Sequence, residues 1–138
     1  MESKLIVIEG IDRAGKTTLM SCINKLTNYK HCVIDRGIIS TLAYGLIYER
    51  DFETICSLTE LEKEFSKIKN HLIIYVDCDT DVIQQRINDT QHEYVDIEMN
   101  KNAFETILKD TVLNVVRVNT TNNTSEKIVE DLLNKGLI

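Results

Sequence analysis

The sequence predicts an α/β fold, a three-layer α/β/α sandwich in which helices cover both faces of a parallel β-sheet. Three observations lead to this prediction. Short apolar runs alternate along the chain with segments whose apolar residues recur at helical spacing. The run at residues 72–76 is continuously apolar, as in a strand buried on both faces. A glycine-containing loop directly follows the first apolar run. The 138 residues are expected to form a single domain, residues 1–138.

The predicted strands are the apolar runs bounded by polar or glycine residues. The second of them, at residues 32–34, is expected to be buried and to end in Asp35-Arg36-Gly37. Together the predicted strands span residues 4–8, 32–34, 71–77 and 111–118.

The predicted helices share apolar residues three or four positions apart. In the third helix this stripe runs from Phe52 to Ile68 and leaves Glu62 on another face. The fourth helix has cap candidates in Asp79-Thr80-Asp81, and the last follows an Asn123-x-x-Glu126 cap. Residues 88–98 are polar and are predicted as a loop. The helices are expected at residues 15–28, 38–49, 52–69, from 79–81 onward, from 99 onward and from 123 onward.

Composition narrows the classes of partner. The chain has 16 Lys and Arg against 22 Asp and Glu, a net charge of -6, which argues against tight nucleic-acid binding. Its apolar runs are too short for a membrane span, and no leader pattern opens the sequence, so we expect a soluble, cytoplasmic protein. The four cysteines lack C-x-x-C spacing, and neither a structural zinc site nor disulfides are expected.

The loop behind the first strand predicts a phosphate-binding site. Residues 10–17 fit the pattern G-x-x-x-x-G-K-[ST], in which the glycines allow tight turning and close backbone approach to phosphate. Lys16, expected on a solvent-facing loop, and the amides of residues 13–17 would hold the β- and γ-phosphates of ATP. Thr17 would bind Mg²⁺, and Asp35, at the end of a neighbouring strand, is placed to hold the ion through water. The predicted ATP and phosphate ligands in the loop are Gly10, Asp12, Arg13, Ala14, Gly15, Lys16, Thr17 and Thr18.

Two motifs resemble the thymidylate kinases, a family within the nucleoside-monophosphate kinases. Residues 9–18 resemble the family's E-G-x-D-R-A-G-K-[ST]-T loop, and residues 35–44 resemble its D-R-x-x-x-S-x-x-A-Y segment. Residues 75–82 with Gln85-Arg86 are similar to the strand and helix that enter the family's lid. A weaker similarity to the lid itself lies in His92-Glu93-Tyr94 followed by Phe104.

The resemblance implies roles for further residues. Arg13 would be a catalytic arginine that bridges donor and acceptor phosphates, together with Lys16. Arg36 would grip the acceptor phosphate, and Arg86 would stack on adenine. The implied acceptor-binding residues, which contact the phosphate, the sugar or the base, are Asp12, Arg36, Ser40, Thr41 and Tyr44.

The chain also departs from the family. Between the first helix and Asp35 the family carries a further strand and two helices that clamp the base, where this chain has only residues 28–33. The base pocket is therefore expected to be largely missing, and a homodimer, which those helices help to form in the family, stays open. The deletion predicts a sheet of about four strands in the order 2-1-3-4, which keeps Asp35 beside the loop and leaves the second strand on an edge.

The leading hypothesis is an ATP- and Mg²⁺-dependent kinase that phosphorylates a deoxynucleoside monophosphate. Two alternatives stay open: a kinase acting on a modified base or a nucleotide within DNA, and an ATP-binding regulatory protein that has lost transfer. Arg13 and Arg36 argue against the last, because two arginines on the acceptor side repel each other unless phosphates lie between them. Which base is accepted stays open as well.

Overall fold

The computed structural model describes residues 2–90 and 96–138, so the lid similarity at His92, Glu93 and Tyr94 lies outside the described residues. The described strands form one parallel sheet in the order β2-β1-β3-β4, which confirms the predicted order and the α/β class. The strands are β1 (Leu5–Glu9), β2 (Cys32–Asp35), β3 (His71–Asp77) and β4 (Val115–Asn119). The helices are α1 (Lys16–Leu26), α2 (Ile38–Ile47), α3 (Phe52–Ser66), α4 (Thr80–Thr90), α5 (Ile97–Asp110) and α6 (Ser125–Asn134).

The direction of winding reverses at β1. The chain leaves β1 through α1 to reach β2 on one side, then returns through α2 and α3 to β3 on the other side. Right-handed crossovers place α1 on one face of the sheet and α2 on the opposite face. The packing agrees, since α1 contacts α6, whereas α2 contacts α3 and α5. Sheets of this kind bind ligands beyond the carboxyl ends of the strands at such a reversal.

The core lies between the two central strands and the helices. Ile6 and Ile8 of β1 and Ile74 of β3 are fully buried, and burial of each such side chain contributes about 1.5–3 kcal/mol. Tyr75 and Phe104 add an aromatic contact with ring centroids 5.7 Å apart. The carboxyl end of β1, where the loop begins, is therefore anchored in the best-packed part of the protein.

Two strand predictions need correction. The strand at residues 32–34 lies on the sheet edge as predicted, but the expectation that it is buried is wrong, since Cys32 and Ile34 are exposed. The fourth strand begins at Val115 and not at Thr111. The Thr111 hydroxyl accepts a hydrogen bond from the Leu113 amide (3.2 Å), and this local turn competes with extension of the strand.

Helix α3 buries a different face from the one predicted. Phe52 and Leu61, which belong to the predicted apolar stripe, are 80% and 55% exposed. Glu62, expected on an outer face, is buried and accepts a hydrogen bond from the Thr111 hydroxyl (2.8 Å). A buried carboxylate needs such a donor, and this pairing was not visible in the spacing of apolar residues.

Several helices begin or end at residues other than those predicted, in two cases because of a capping side chain. Helix α5 begins two residues before the predicted position because the Asp96 carboxylate accepts from the Met99 amide (3.0 Å). Helix α6 is capped by Thr124 and not by Asn123, since the Thr124 hydroxyl accepts from the Lys127 amide (3.2 Å). Helix α4 continues to Thr90, into the segment predicted as a loop. None of the helices seen in residues 2–90 and 96–138 is both long and apolar enough to cross a membrane.

Candidate active site

A cavity of about 1260 Å³ lies where the glycine-containing loop meets the segments that follow β2 and β4. Sites for small molecules usually measure about 300–1,000 Å³, so this cavity is larger than the usual range. Most of the predicted site residues line it. The lining consists of Asp12, Arg13, Gly15, Lys16, Thr17, Thr18, Asp35, Arg36, Tyr48, Arg86, Ile87, Thr120, Asn123, Thr124 and Ser125.

The loop adopts a conformation that its glycines make possible. Gly10 has φ 143°, and a Cβ there would lie 2.6 Å from the Val76 carbonyl oxygen of β3. Gly15 has φ 101° and Arg13 has φ 68°, both in the left-handed region. A non-glycine residue in that region costs free energy, so other contacts must hold the loop.

Three side chains hold the loop through its carbonyl groups. Arg86 on α4 donates through Nη1 to the Arg13 carbonyl (2.7 Å), and the Thr120 hydroxyl donates to the Ala14 carbonyl (2.5 Å). Lys16 Nζ donates to the Ile11 carbonyl (3.0 Å). Arg86, which the resemblance predicts to stack on adenine, lines the cavity. The stacking itself stays a prediction. Thr120 was missed, because a threonine after a strand carries no sequence signal of its own.

Lys16 is buried, which corrects the expectation that it lies on a solvent-facing loop. Burial lowers the pKa of its ammonium group, and the nearby Arg36 guanidinium lowers it further. Lys16 also begins α1, whose first turn has no side-chain cap and no acidic residue. Uncapped amides and a helix dipole favour an anion at the N-terminus of α1. The attraction between this anion and the Lys16 charge is strong because Lys16 is buried.

Arg36 has a strained backbone, and one buried nitrogen of its guanidinium group has no hydrogen-bond partner among the described residues. Its φ is 61°, and its Nη2 forms an ion pair with Asp12. Its Nε is buried and has no hydrogen-bond partner among the described residues. Buried donors are nearly always paired. Arg36 lines the cavity, so a phosphate oxygen bound there would give this guanidinium an acceptor that the described residues do not supply.

Glu9 organises the neighbouring segment and was missed in the sequence. Its fully buried carboxylate accepts hydrogen bonds from the Gly37 amide (2.5 Å), the Ser40 amide (3.1 Å) and the Ser40 hydroxyl. It therefore caps the N-terminus of α2 from another element. Burial raises the pKa of Glu9, and the hydrogen bonds from Ser40 and Gly37 oppose that rise. The available signal was an acidic residue that ends a buried strand.

The remaining predicted residues lie outside the cavity lining. Ser40 is buried against Glu9, and the Thr41 hydroxyl donates to the Gly37 carbonyl (3.0 Å). Tyr44 is partly buried beneath Arg36, with the guanidinium carbon 5.5 Å from the ring centroid. Burial raises the pKa of the Tyr44 phenol. Gly10 and Ala14 contribute backbone only.

The oxygen-bearing side chains suit a magnesium ion. Thr17 and Asp35 both line the cavity and are exposed to it. Mg²⁺ prefers hard oxygen ligands, keeps several waters and commonly uses one or two protein groups together with phosphate oxygens. A hydroxyl and a carboxylate beside a phosphate-binding loop fit that preference.

Comparison with known proteins agrees with this geometry. A family model described as thymidylate kinase matches residues 20–134. The match begins after the phosphate-binding loop, so the loop is a separate observation. No curated protein matches the chain in sequence.

Several solved structures share the fold. The YorR protein of Bacillus subtilis, solved in complex with phosphorylated GDP, has a TM-score of 0.77 at 17% identity, with 96% of this chain and 95% of that chain covered. Thymidylate kinase from Candida albicans has a TM-score of 0.59 at 19% identity, covering 99% and 94%. Thymidylate kinase from Ehrlichia chaffeensis has a TM-score of 0.63 at 16% identity, covering the whole of both chains.

Proposed function

The chain belongs to the thymidylate kinase family, and from this premise we propose that it transfers the γ-phosphoryl group of ATP to a deoxynucleoside monophosphate. Members of this family use ATP and Mg²⁺ in general. The observation that carries the proposal is the buried, unpaired Nε of Arg36 at the cavity. The Arg36 guanidinium lies close enough to Lys16 to lower the pKa of the lysine ammonium group. Two cationic side chains therefore lie next to each other in the same cavity.

The donor lies along the loop. The N-terminus of α1 and Lys16 bind the β- and γ-phosphates, and the contacts from Arg86 and Thr120 to the loop keep that cradle in shape. The adenosine lies toward Thr120 and the segment 123–125, which line the same cavity. Thr17 and Asp35 would hold Mg²⁺, which would neutralise phosphate charge when bound.

The acceptor lies toward β2. Arg36 binds its phosphate through Nε, and the ion pair with Asp12 keeps the guanidinium facing the loop. Glu9 fixes the turn that carries Arg36, because it holds the next residue, Gly37, by its amide. Arg13 lies between the two halves on the loop and lines the cavity.

Transfer then needs no covalent enzyme intermediate. An oxygen of the acceptor phosphate bonds to the γ-phosphorus while the bond from that phosphorus to the β,γ-bridging oxygen breaks, releasing ADP and a nucleoside diphosphate. Lys16, Arg13 and Arg36 stabilise the charge that moves between the two oxygens. Their fixed positions supply most of the catalysis in such a reaction.

The test is formation of ADP from ATP with a panel of deoxynucleoside monophosphates in the presence of Mg²⁺. We expect turnover of at least one of them. Arg36→Ala should reduce kcat/KM about 10²- to 10³-fold, whereas Arg117→Ala, which removes an arginine paired with Glu105 outside the cavity, should retain it. Absence of turnover with every monophosphate, together with label transfer to DNA oligomers or with ATP binding alone, would contradict the proposal.

A further inference from the structure

One aromatic side chain in the cavity has no role so far. Tyr48 follows the last residue of α2, is 69% exposed, and is the only aromatic residue among the described residues that line the cavity. The roles assigned so far to the loop and to the two arginines do not involve this ring. It does offer a flat, apolar face to a ligand.

Tyr48 continues a row that begins at the phosphate site. The Arg36 guanidinium lies 5.5 Å from the centroid of the Tyr44 ring. The Tyr44 and Tyr48 ring centroids are 6.1 Å apart, and the two rings are stacked at an interplanar angle of 23°. Tyr44 is backed by Phe104, with ring centroids 6.0 Å apart, so it supports Tyr48 on a rigid base. The contacts therefore connect the exposed Tyr48 ring, through Tyr44, to the cation that is proposed to bind the acceptor phosphate.

The row also lies on the acceptor side of the cavity. Arg36 follows β2, whereas Thr120 and the segment 123–125 follow β4. These two strands are separated by β1 and β3, which is three strand spacings or about 14 Å. Tyr48 is connected through Tyr44 to Arg36 and not to the β4 side, so we assign it to the nucleotide whose phosphate Arg36 is proposed to bind.

We propose that the exposed face of Tyr48 is the stacking platform for the nucleobase of the acceptor, and that it accepts purines and pyrimidines alike. The inference rests on the proposed function and names its substrate class. Every base has a π-face, so stacking discriminates little between bases. Discrimination needs hydrogen bonds to base edges. Among the described residues that the resemblance assigns to the acceptor, Asp12 and Arg36 are paired with each other. The Ser40 hydroxyl is paired with Glu9, and the Thr41 hydroxyl with the Gly37 carbonyl.

The experiment compares Michaelis constants for the acceptor and for ATP in single variants. Loss of one base–aromatic stack commonly weakens binding about tenfold or more. Tyr48→Ala should therefore raise KM for both dTMP and dGMP about tenfold, and KM for ATP should not change. Tyr48→Phe keeps the π-face and should restore the acceptor KM, whereas Tyr48→Leu keeps bulk over Tyr44 without that face and should not.

The matched control is Tyr29, which is 70% exposed and does not line the cavity. Tyr29→Ala should leave both Michaelis constants unchanged. An unchanged acceptor KM in Tyr48→Ala, a rise confined to one base, or a rise in KM for ATP would overturn the inference while the wild-type protein still turns over. Failure of the proposed function would look different, because the wild-type protein itself would phosphorylate no monophosphate.

Discussion

The two halves of the cavity are built differently. On the loop side, backbone carbonyls of Arg13 and Ala14 receive hydrogen bonds from α4 and from the end of β4, and Lys16 is buried. On the β2 side, Asp35 and Tyr48 are exposed, and the strand that carries Asp35 is a short sheet edge. The proposed phosphate site is therefore held by many contacts, while the proposed acceptor side is held by few.

This difference between the two sides of the cavity indicates which parts of a nucleotide the protein can select. A preorganised loop can bind any triphosphate, because its hydrogen-bond donors are already in position to stabilise negative charge. An open face with one aromatic ring cannot reject a base by its edges. We infer that this chain is selective for phosphate chemistry and permissive for the base.

The largest expected effect comes from the loop side. Lys16→Met should lower kcat about 10³-fold, because it removes a charge from a water-poor site. Its melting temperature should change little, because removal of a buried charge offsets loss of the hydrogen bond to the Ile11 carbonyl. A coupled assay and a thermal melt check both results. Activity close to that of the wild type would mean that the loop is not the donor site.

The next effect links the two halves through Glu9. Glu9→Gln weakens the acceptor for the amides of Gly37 and Ser40 and so loosens the turn that carries Arg36. We expect kcat to fall about tenfold, since small misplacements of a catalytic group are costly. Ser40→Ala, which removes only the hydroxyl donor, should have a smaller effect on kcat. Equal rates for all three proteins would show that Arg36 does not depend on Glu9.

Glu9 also gives a prediction for the pH dependence of stability. Burial raises its pKa above the ordinary 4.5, so the folded state binds this proton more tightly than the unfolded chain does. The contribution of Glu9 to the free energy of unfolding therefore falls as pH rises from about 4.5 through the raised pKa. Urea denaturation of wild type and Glu9→Gln across that range should show the wild type losing stability relative to the variant. A constant difference would contradict the assigned direction.

A moderate effect is expected for Asp35, the carboxylate that we propose holds Mg²⁺. Asp35→Asn should raise the Mg²⁺ concentration that gives half-maximal rate about tenfold, as for other groups that hold a metal through water. Initial rates over a magnesium titration measure this. Asp81, an exposed acidic residue of α4 outside the cavity lining, provides the control, and Asp81→Asn should leave the titration unchanged. Identical curves for Asp35→Asn and wild type would remove Asp35 from the site.

The smallest effect sharpens the contrast between the halves. Thr120→Val deletes the hydrogen bond to the Ala14 carbonyl and should destabilise the protein by about 1 kcal/mol. Because Thr120 supports only the loop side, KM for ATP should rise severalfold and the acceptor KM should not change. A larger change in the acceptor KM would show that the two halves are not separate.

Sequence reasoning recovered the fold because its signals are local. The apolar run of β3 and the loop at residues 10–17 are visible in short stretches of sequence, whereas the strand order came from the resemblance to the family and from the segment missing before Asp35. Glu9, Thr120 and Tyr48 were not, because their roles come from residues 28–106 positions away in the chain or from exposure to a shared cavity. The burial of Lys16 and Glu62 was hidden for the same reason, since a polar residue reveals its partner only after folding.

The most direct test of a fixed phosphate site beside a permissive base site is competition among acceptors. The wild-type protein is given γ-labelled ATP, Mg²⁺ and an equal mixture of the four common deoxynucleoside monophosphates, and the labelled diphosphates are separated. We predict labelled diphosphates from purines and pyrimidines, with rates within about tenfold of one another, as stacking without edge recognition requires. Label in a single diphosphate, or in none, would contradict the account.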